Sequence, residues 1–209
     1  MVDGSVVSPY DAERMQDEID RYHVWMEQRC EEVYRVAEEA RAKGFDLKTT
    51  VEIPRAADLA SRTEKLLEEY LDGIEVANDI RELLAIKDRE NTAIEMALSV
   101  ANQMHDKTAD IQRSIDSGLR VGLAILTEAV LVAPLAGIGQ VQVLNNLDGS
   151  RFVSIEFCGP IRAAGGTAQA LAVLIADMIR RELGLAKYEP TTPEVERVKE
   201  EFGLYRKNL

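Results

Sequence analysis

One stretch of this chain changes hydrophobic period, and that change limits the folds open to it. Across most of Asp11 to Val132 apolar residues recur three and four apart, the spacing that lines one side of a helix. From Gly139 to Phe157, "GQVQVLNNLDGSRFVSIEF", the pattern turns to alternation. Val141 and Val143 stand on one arm, and Phe152 and Ile155 lie in a β-branched run on the other. Asn146 to Ser150, containing Asp148-Gly149, is turn chemistry, so this stretch predicts a β-hairpin. Two strands do not stand alone in water and need helices to cover them. The expected fold class is therefore α+β and mainly helical. A helical region is expected over 1–136. A small α+β module is expected over 137–209, built from the hairpin, a glycine turn, a buried helix and a C-terminal helix.

Within the helical region, Asp11 to Lys43 reads as one long helix bounded by Pro9 and Gly44. Ile19, Tyr22, Met26, Cys30, Val33, Ala37 and Ala40 fall on one face, either packed on neighbouring elements or offered to a partner helix. Cys30 lies in that stripe and reads as a small buried residue. "KTTVEIP" is a connector or edge strand closed by Pro54. Helices are expected over Ala56–Leu71 and Ile74–Met104, broken at Gly73, and over Thr108–Val132, ending before Pro134. In the module, Thr167 to Leu183 is apolar almost all round and should be largely buried. Its basic end, Arg180-Arg181, suits the negative pole of the helix dipole. A last helix should begin with Thr192 as N-cap, Pro193 as the first helical residue and Glu194 in the first turn.

The net charge of −12 would repel phosphates on average, so nucleic acid could bind only through a local basic patch. Gly159 to Lys187 supplies one: Arg162, Arg180, Arg181 and Lys187 against Asp177 and Glu182, net +2. Ala56 to Asp106 carries twelve acids against five bases. Cys30 and Cys158 are too few and too far apart for a zinc module or a disulfide framework, which fits a reduced, cytoplasmic compartment. His23 and His105 lack metal-ligand spacing. "MVDGSVVSPYDAERMQ" has neither a basic n-region nor an apolar h-region. The most apolar window, Val121 to Ile138, contains Glu128 and Pro134 and reads as a buried core helix, not a membrane span.

"EFCGPIRAAGGTAQALAVLIADMIRR" joins the second strand to the buried helix through glycines. Strand, glycine-rich loop and helix is a context in which backbone N–H groups cradle an anion. The phosphate-loop pattern G-x-x-x-x-G-K-[ST] fails here: Pro160 stands at its first glycine and Gly166 at its lysine. G-x-G-x-x-G is absent as well. What remains is Arg162, a planar fork suited to phosphate, ahead of Gly165, Gly166 and Thr167 at the helix entrance. Thr167 could cap that helix or bond a phosphate oxygen. The alternative is that the glycines only make a tight corner and Arg162 pairs with an acid.

"FCGPIRAAGGTAQALAVLIADMIRRELGL", followed by "YEPTTPEVERVKEEFGLY", resembles the N-terminal region of the large subunit of archaeal family-D DNA polymerases, also called DNA polymerase II. "YHVWMEQRCEEVYRVAEEARAKGFD", "TTVEIPRAADLASRTEKLL" and "LRVGLAILTEAVLVAPLAGI" resemble it in the same order, so essentially the whole chain is covered. The likeness is sharpest at Gly159, Pro160, Arg162, Gly165, Gly166 and Thr167. It implies a part of a replicative, DNA-directed polymerase whose nucleotidyl-transfer site, a double-psi β-barrel with metal-binding aspartates, lies far downstream. It also implies a smaller partner subunit carrying a 3′–5′ exonuclease, and primer–template DNA as substrate. Mg2+ is expected for the longer enzyme and no cofactor for this segment, which lacks a clustered carboxylate site for two metal ions. The expected role is scaffold and DNA-backbone contact, with Arg162, Gly165, Gly166, Thr167, Arg180 and Arg181 as phosphate-binding candidates. Its rivals are a structural or subunit-docking domain and a free-standing phosphate- or nucleotide-binding module.

Overall fold

The architecture is known from a computed structural model, which describes residues 9–45, 56–128, 133–162 and 166–207. Two compact units divide the chain, Met1–Glu52 and Ile53–Leu209.

Among the described residues the first unit holds helix α1, Pro9–Ala42. Gly44, at φ 73°, ends it: its N–H bonds the Arg41 carbonyl while that of Phe45 reaches back to Ala40. The apolar stripe falls where its spacing predicts, yet Ile19, Tyr22, Met26 and Val33 are exposed. Cys30 is exposed as well, contrary to the expectation that it is buried, because its stripe neighbours Met26 and Val33 are open too. The expected "KTTVEIP" connector lies outside the described residues.

The second unit holds α2 (Leu59–Leu66), α3 (Glu68–Leu71), α4 (Ala77–Ile86), α5 (Arg89–Thr108) and α6 (Ile111–Leu126). The hairpin strands β1 (Ile138–Asn145) and β2 (Arg151–Phe157), then α7 (Thr167–Glu182) and α8 (Thr192–Lys207), complete it. The mainly helical α+β class is as the sequence predicts. Its helices are cut more finely: the one expected over Ala56–Leu71 is split at Leu67, and aspartates cap three of the starts. Asp58 accepts the Ser61 N–H at 2.7 Å to open α2, and Asp88 accepts that of Asn91 at 2.7 Å to open α5. Asp110 accepts N–H bonds from Gln112 and Arg113 at the start of α6. The run expected as one helix over Ile74–Met104 is thus two, and the helix expected over Thr108–Val132 starts at Ile111 and ends at Leu126.

Helix α6 is the spine of this unit. Val121 and Ile125 join Leu67, Leu71, Val76, Ile80, Met96 and Val100 in one apolar cluster. Ile115, Leu119 and Leu123 join Ala97, Ala101, Ile138, Val141, Ala172, Ile175 and Ile179 in a second. The hairpin and α7 therefore share a core with α5 and α6. Gly118 and Gly122 let α5 and α6 approach closely: a Cβ on Gly118 would stand 2.4 Å from the Ala97 carbonyl oxygen. Among the described residues no helix is long and apolar enough to cross a membrane.

Candidate nucleic-acid interface

The hairpin sets the direction in which the glycine turn leaves the core. β1 and β2 pair antiparallel from Ile138↔Phe157 to Asn145↔Arg151, with a bulge between Ile138 and Gln140. Gly139 occupies the bulge, where a Cβ would lie 2.5 Å from the Cys158 sulfur. At the far end Gly149, at φ 85°, closes the expected turn, and Asp148 accepts the Ser150 N–H at 2.8 Å. At the near end the Cys158 N–H continues the ladder by bonding the Gly137 carbonyl at 2.9 Å.

Past Cys158 the chain enters a 3-10 turn, Gly159–Arg162, which Gly159 opens at φ 53°. Ile161 is 2% exposed and roots this turn in the interior, while its neighbour Arg162 is exposed. Among the described residues Arg162 has no ion-pair partner. Gly165 lies outside the described residues. Gly166, at φ 84°, is the N-cap of α7 and offers no side-chain bond, so Thr167 is the first helical residue and not the cap. With a glycine cap, the N–H groups of the first turn keep their donor capacity for an outside acceptor.

The other two arginine candidates stand at the opposite end of α7. Arg180 lies thirteen residues beyond Thr167 along the helix, about 20 Å of rise. Arg180 is mostly buried: it binds Asp177 through Nε at 2.9 Å and donates to the Leu185 carbonyl at 2.8 Å. Arg181 is exposed and also pairs with Asp177. The Arg180 guanidinium, with help from Arg181, holds the Asp177 carboxyl below the usual carboxylate range. Gly184 at φ 68° completes the stop, its N–H bonding the Arg181 carbonyl.

Two expectations about this region need correction. α7 is not largely buried, since Val173 and Leu174 are 53% and 50% exposed. One face, with Ala172, Ile175, Ala176 and Ile179, fills the core, and the other has nothing over it among the described residues. The N-cap of α8 is Thr191, not Thr192. The Glu194 carboxylate accepts from both the Thr191 N–H and its hydroxyl at 2.7 Å, and the Val195 N–H bonds the Thr191 carbonyl, which moves the start by one residue.

Residues that the sequence does not single out hold the turn's surroundings. Asn146 bonds the Lys187 carbonyl and accepts the Glu189 N–H, tying the hairpin to the segment after α7. Arg120, in the apolar run "GLRVGLAIL", is 3% exposed and donates to main-chain carbonyls ahead of β1. A lone arginine inside an apolar helix was the available signal. Among the described residues no group of acidic, histidine or cysteine side chains could hold a metal ion. A shallow groove of about 530 Å³ beside Ile86, Ile94 and Leu98 has its charged groups already engaged, Lys87 with Glu95 and Asp88 with Asn91.

Residues 21–209 match the family described as DNA polymerase II large subunit DP2, N-terminal. Among curated relatives, the DNA polymerase II large subunit of Thermoplasma acidophilum is 46% identical over 189 residues, covering 90% of this chain and 17% of the relative. That of Picrophilus torridus is 47% identical over 176 residues, 84% of this chain and 16% of the relative. That of Methanothermobacter thermautotrophicus is 45% identical over 187 residues, 88% of this chain and 17% of the relative. The chain thus spans about a sixth of the length of the relatives it matches.

Proposed function

The chain belongs to the family of N-terminal regions of the DNA polymerase II large subunit, and from that membership we propose that it is a scaffold within a replicative polymerase that also grips the phosphate backbone of primer–template DNA. The gripping residues are Arg162, Gly165, Gly166 and Thr167. A single observation supports this reading most: Arg162 is exposed and, among the described residues, unpaired, on a turn rooted by buried Ile161 and leading to a glycine-capped helix. A guanidinium and a helix N-terminus favour the same ligand, an anion with several oxygens. Arg180 and Arg181 add positive charge at the far end of α7 but share Asp177, so their part is the smaller one.

Nucleotidyl transfer, with its Mg2+ ions, belongs to the remainder of the large subunit, and 3′–5′ exonuclease activity to a smaller partner. This segment alone is inactive in that scheme. A salt titration of DNA binding by the chain tests it, since the log–log slope counts phosphates neutralised. A slope near zero, or no binding at low salt, would overturn the backbone contact.

Subunit docking is a second reading, favoured by the open face of α1, where Tyr22 stacks on Trp25 at 5.8 Å and Met15, Ile19 and Met26 are exposed beside them. Its mark would be capture of the small subunit without DNA.

A further inference from the structure

Arg120 reaches from α6 into the segment 133–138, which leads into β1. Its Nη1 donates to the carbonyls of Pro134 at 2.6 Å and Leu135 at 2.9 Å, and its Nη2 to that of Ile138 at 3.1 Å. Its Nε bonds Asp116 at 2.9 Å, and the guanidinium carbon lies 4.2 Å from the centre of the Tyr70 ring. Tyr70 is itself held, because the Ser117 hydroxyl donates to its carbonyl at 2.7 Å.

Ala133 to Gly137 forms neither helix nor strand, so the carbonyls of Pro134 and Leu135 have no ladder to satisfy them. A guanidinium can serve both, together with the Ile138 carbonyl at the start of β1, while its face rests on an aromatic ring. That alone would be a structural duty. The neighbouring pairings extend it to the glycine turn. Ile138 pairs with Phe157, and Cys158 bonds Gly137, so the segment that Arg120 grips is also the seat of the strand end that launches the glycine turn. Only Gly159, Pro160 and Ile161 separate Cys158 from Arg162.

We infer that Arg120 is a positioning residue for the glycine turn: by fixing 134–138 it sets the place of Cys158 and, through the 3-10 turn, the place of Arg162. The DNA consequence rests on the backbone contact proposed above, whereas the positioning does not.

The test uses the whole chain with Arg120→Lys, Arg162→Ala and the double variant. Backbone amide exchange is followed by NMR, and binding to a primer–template duplex by anisotropy against salt. Arg120→Lys keeps the charge but loses the planar fork and the ring contact. The Cys158 amide should then exchange about tenfold faster, while Val100 and Ala101 in α5 keep their rates. The salt slope should fall by up to about one unit, toward that of Arg162→Ala, and the double variant should fall no further. Unchanged exchange at Cys158 overturns the inference, as does a double variant whose losses simply add. Should Arg120→Lys fail to fold, Tyr70→Leu removes the ring alone. Faster exchange confined to Ile138 and Cys158 then supports positioning, and equal acceleration in α5 overturns it. If Arg162→Ala leaves the slope at its wild-type value, the backbone contact fails, and exchange at Cys158 alone decides the positioning.

Discussion

Arg162 and Gly166 sit close in sequence and divide two jobs between them. Arg162→Ala should leave the melting temperature nearly unchanged, because its side chain is exposed and, among the described residues, makes no ion pair. It should weaken DNA binding across sequences and lower the salt slope by about one unit. Arg162→Lys should recover only part, since a point charge replaces a fork. Early melting with a wild-type slope would reduce the turn to a corner. Gly166→Val should do the opposite: φ is 84°, and a β-branched residue there is strained even though nothing stands within 4 Å of its Cβ position. A loss of about 1–3 kcal/mol in denaturant unfolding is expected. At this scale the sequence was informative about which residues bend and only half informative about which are free. Arg162, Arg180 and Arg181 look alike in a string of letters. That Asp177 engages two of them depends on the turn of a helix three and four residues apart, and that Ile161 roots the third depends on the core beneath it.

Among the elements, the close contact between α5 and α6 was not legible beforehand. Glycines inside a helical pattern read as weak points, whereas Gly118 and Gly122 here admit Ala97, Ala101 and the methyl of Ile175. Only the partner helix gives them meaning. A Cβ at Gly118 would fall 2.4 Å from a backbone oxygen and 2.9 Å from the Ala101 Cβ, neither of which can swing away. Gly118→Ala should therefore cost about 2 kcal/mol or more despite its gain in helix propensity, measurable as a lower denaturant midpoint. The hairpin is the opposite case. Alternation and Asp148-Gly149 predict both strands and the turn, because register in a half-buried pair is dictated by which side chains must face the core. Helix α1 was legible as a helix but not in its surroundings. With Met26 exposed at 43%, Met26→Asp should shift stability by no more than about 0.5 kcal/mol in this chain. A large drop in the melting temperature would show the stripe to be covered in solution.

At the scale of the molecule, the surplus of acid that gives net charge −12 is divided between plain solvation and specific structural work. Asp58 is held well below the usual carboxylate range by Arg81 and by the Ser61 N–H it caps, and Asp72 is lowered by Lys107 and Arg113. Asp88 is lowered by Asn91, Asp148 by Ser150, Asp177 by Arg180, and Glu194 by Tyr188 and Thr191. The carboxylates of Asp58, Asp88, Asp148 and Glu194 open α2 and α5, turn the hairpin and start α8, while those of Asp72 and Asp177 pair with Lys107 and Arg113 and with Arg180 and Arg181. Each is bound more tightly as an anion in the folded chain than in the unfolded one. The unfolded chain therefore takes up protons first as the pH falls, and the linkage has one sign. The stabilisation from these groups is complete above the ordinary carboxylate pKa, near 4, and drains away as the pH drops through the lowered folded values. Because all of them but the half-buried Asp177 are exposed, salt screening weakens their ion pairs and leaves the cap bonds. The melting temperature should therefore be flat from neutral pH down to about 5 and fall steeply below about 4. Added salt should lower it modestly near pH 7 and leave the acid limb in place. Substituting Asp88→Asn keeps a capping oxygen but removes the titrating group, so that variant should lose less on acidification than the parent chain. A melting temperature that rises as the pH is lowered would mean that self-repulsion of the acidic surface outweighs these six anions, and that the carboxylates do not hold the helix ends together.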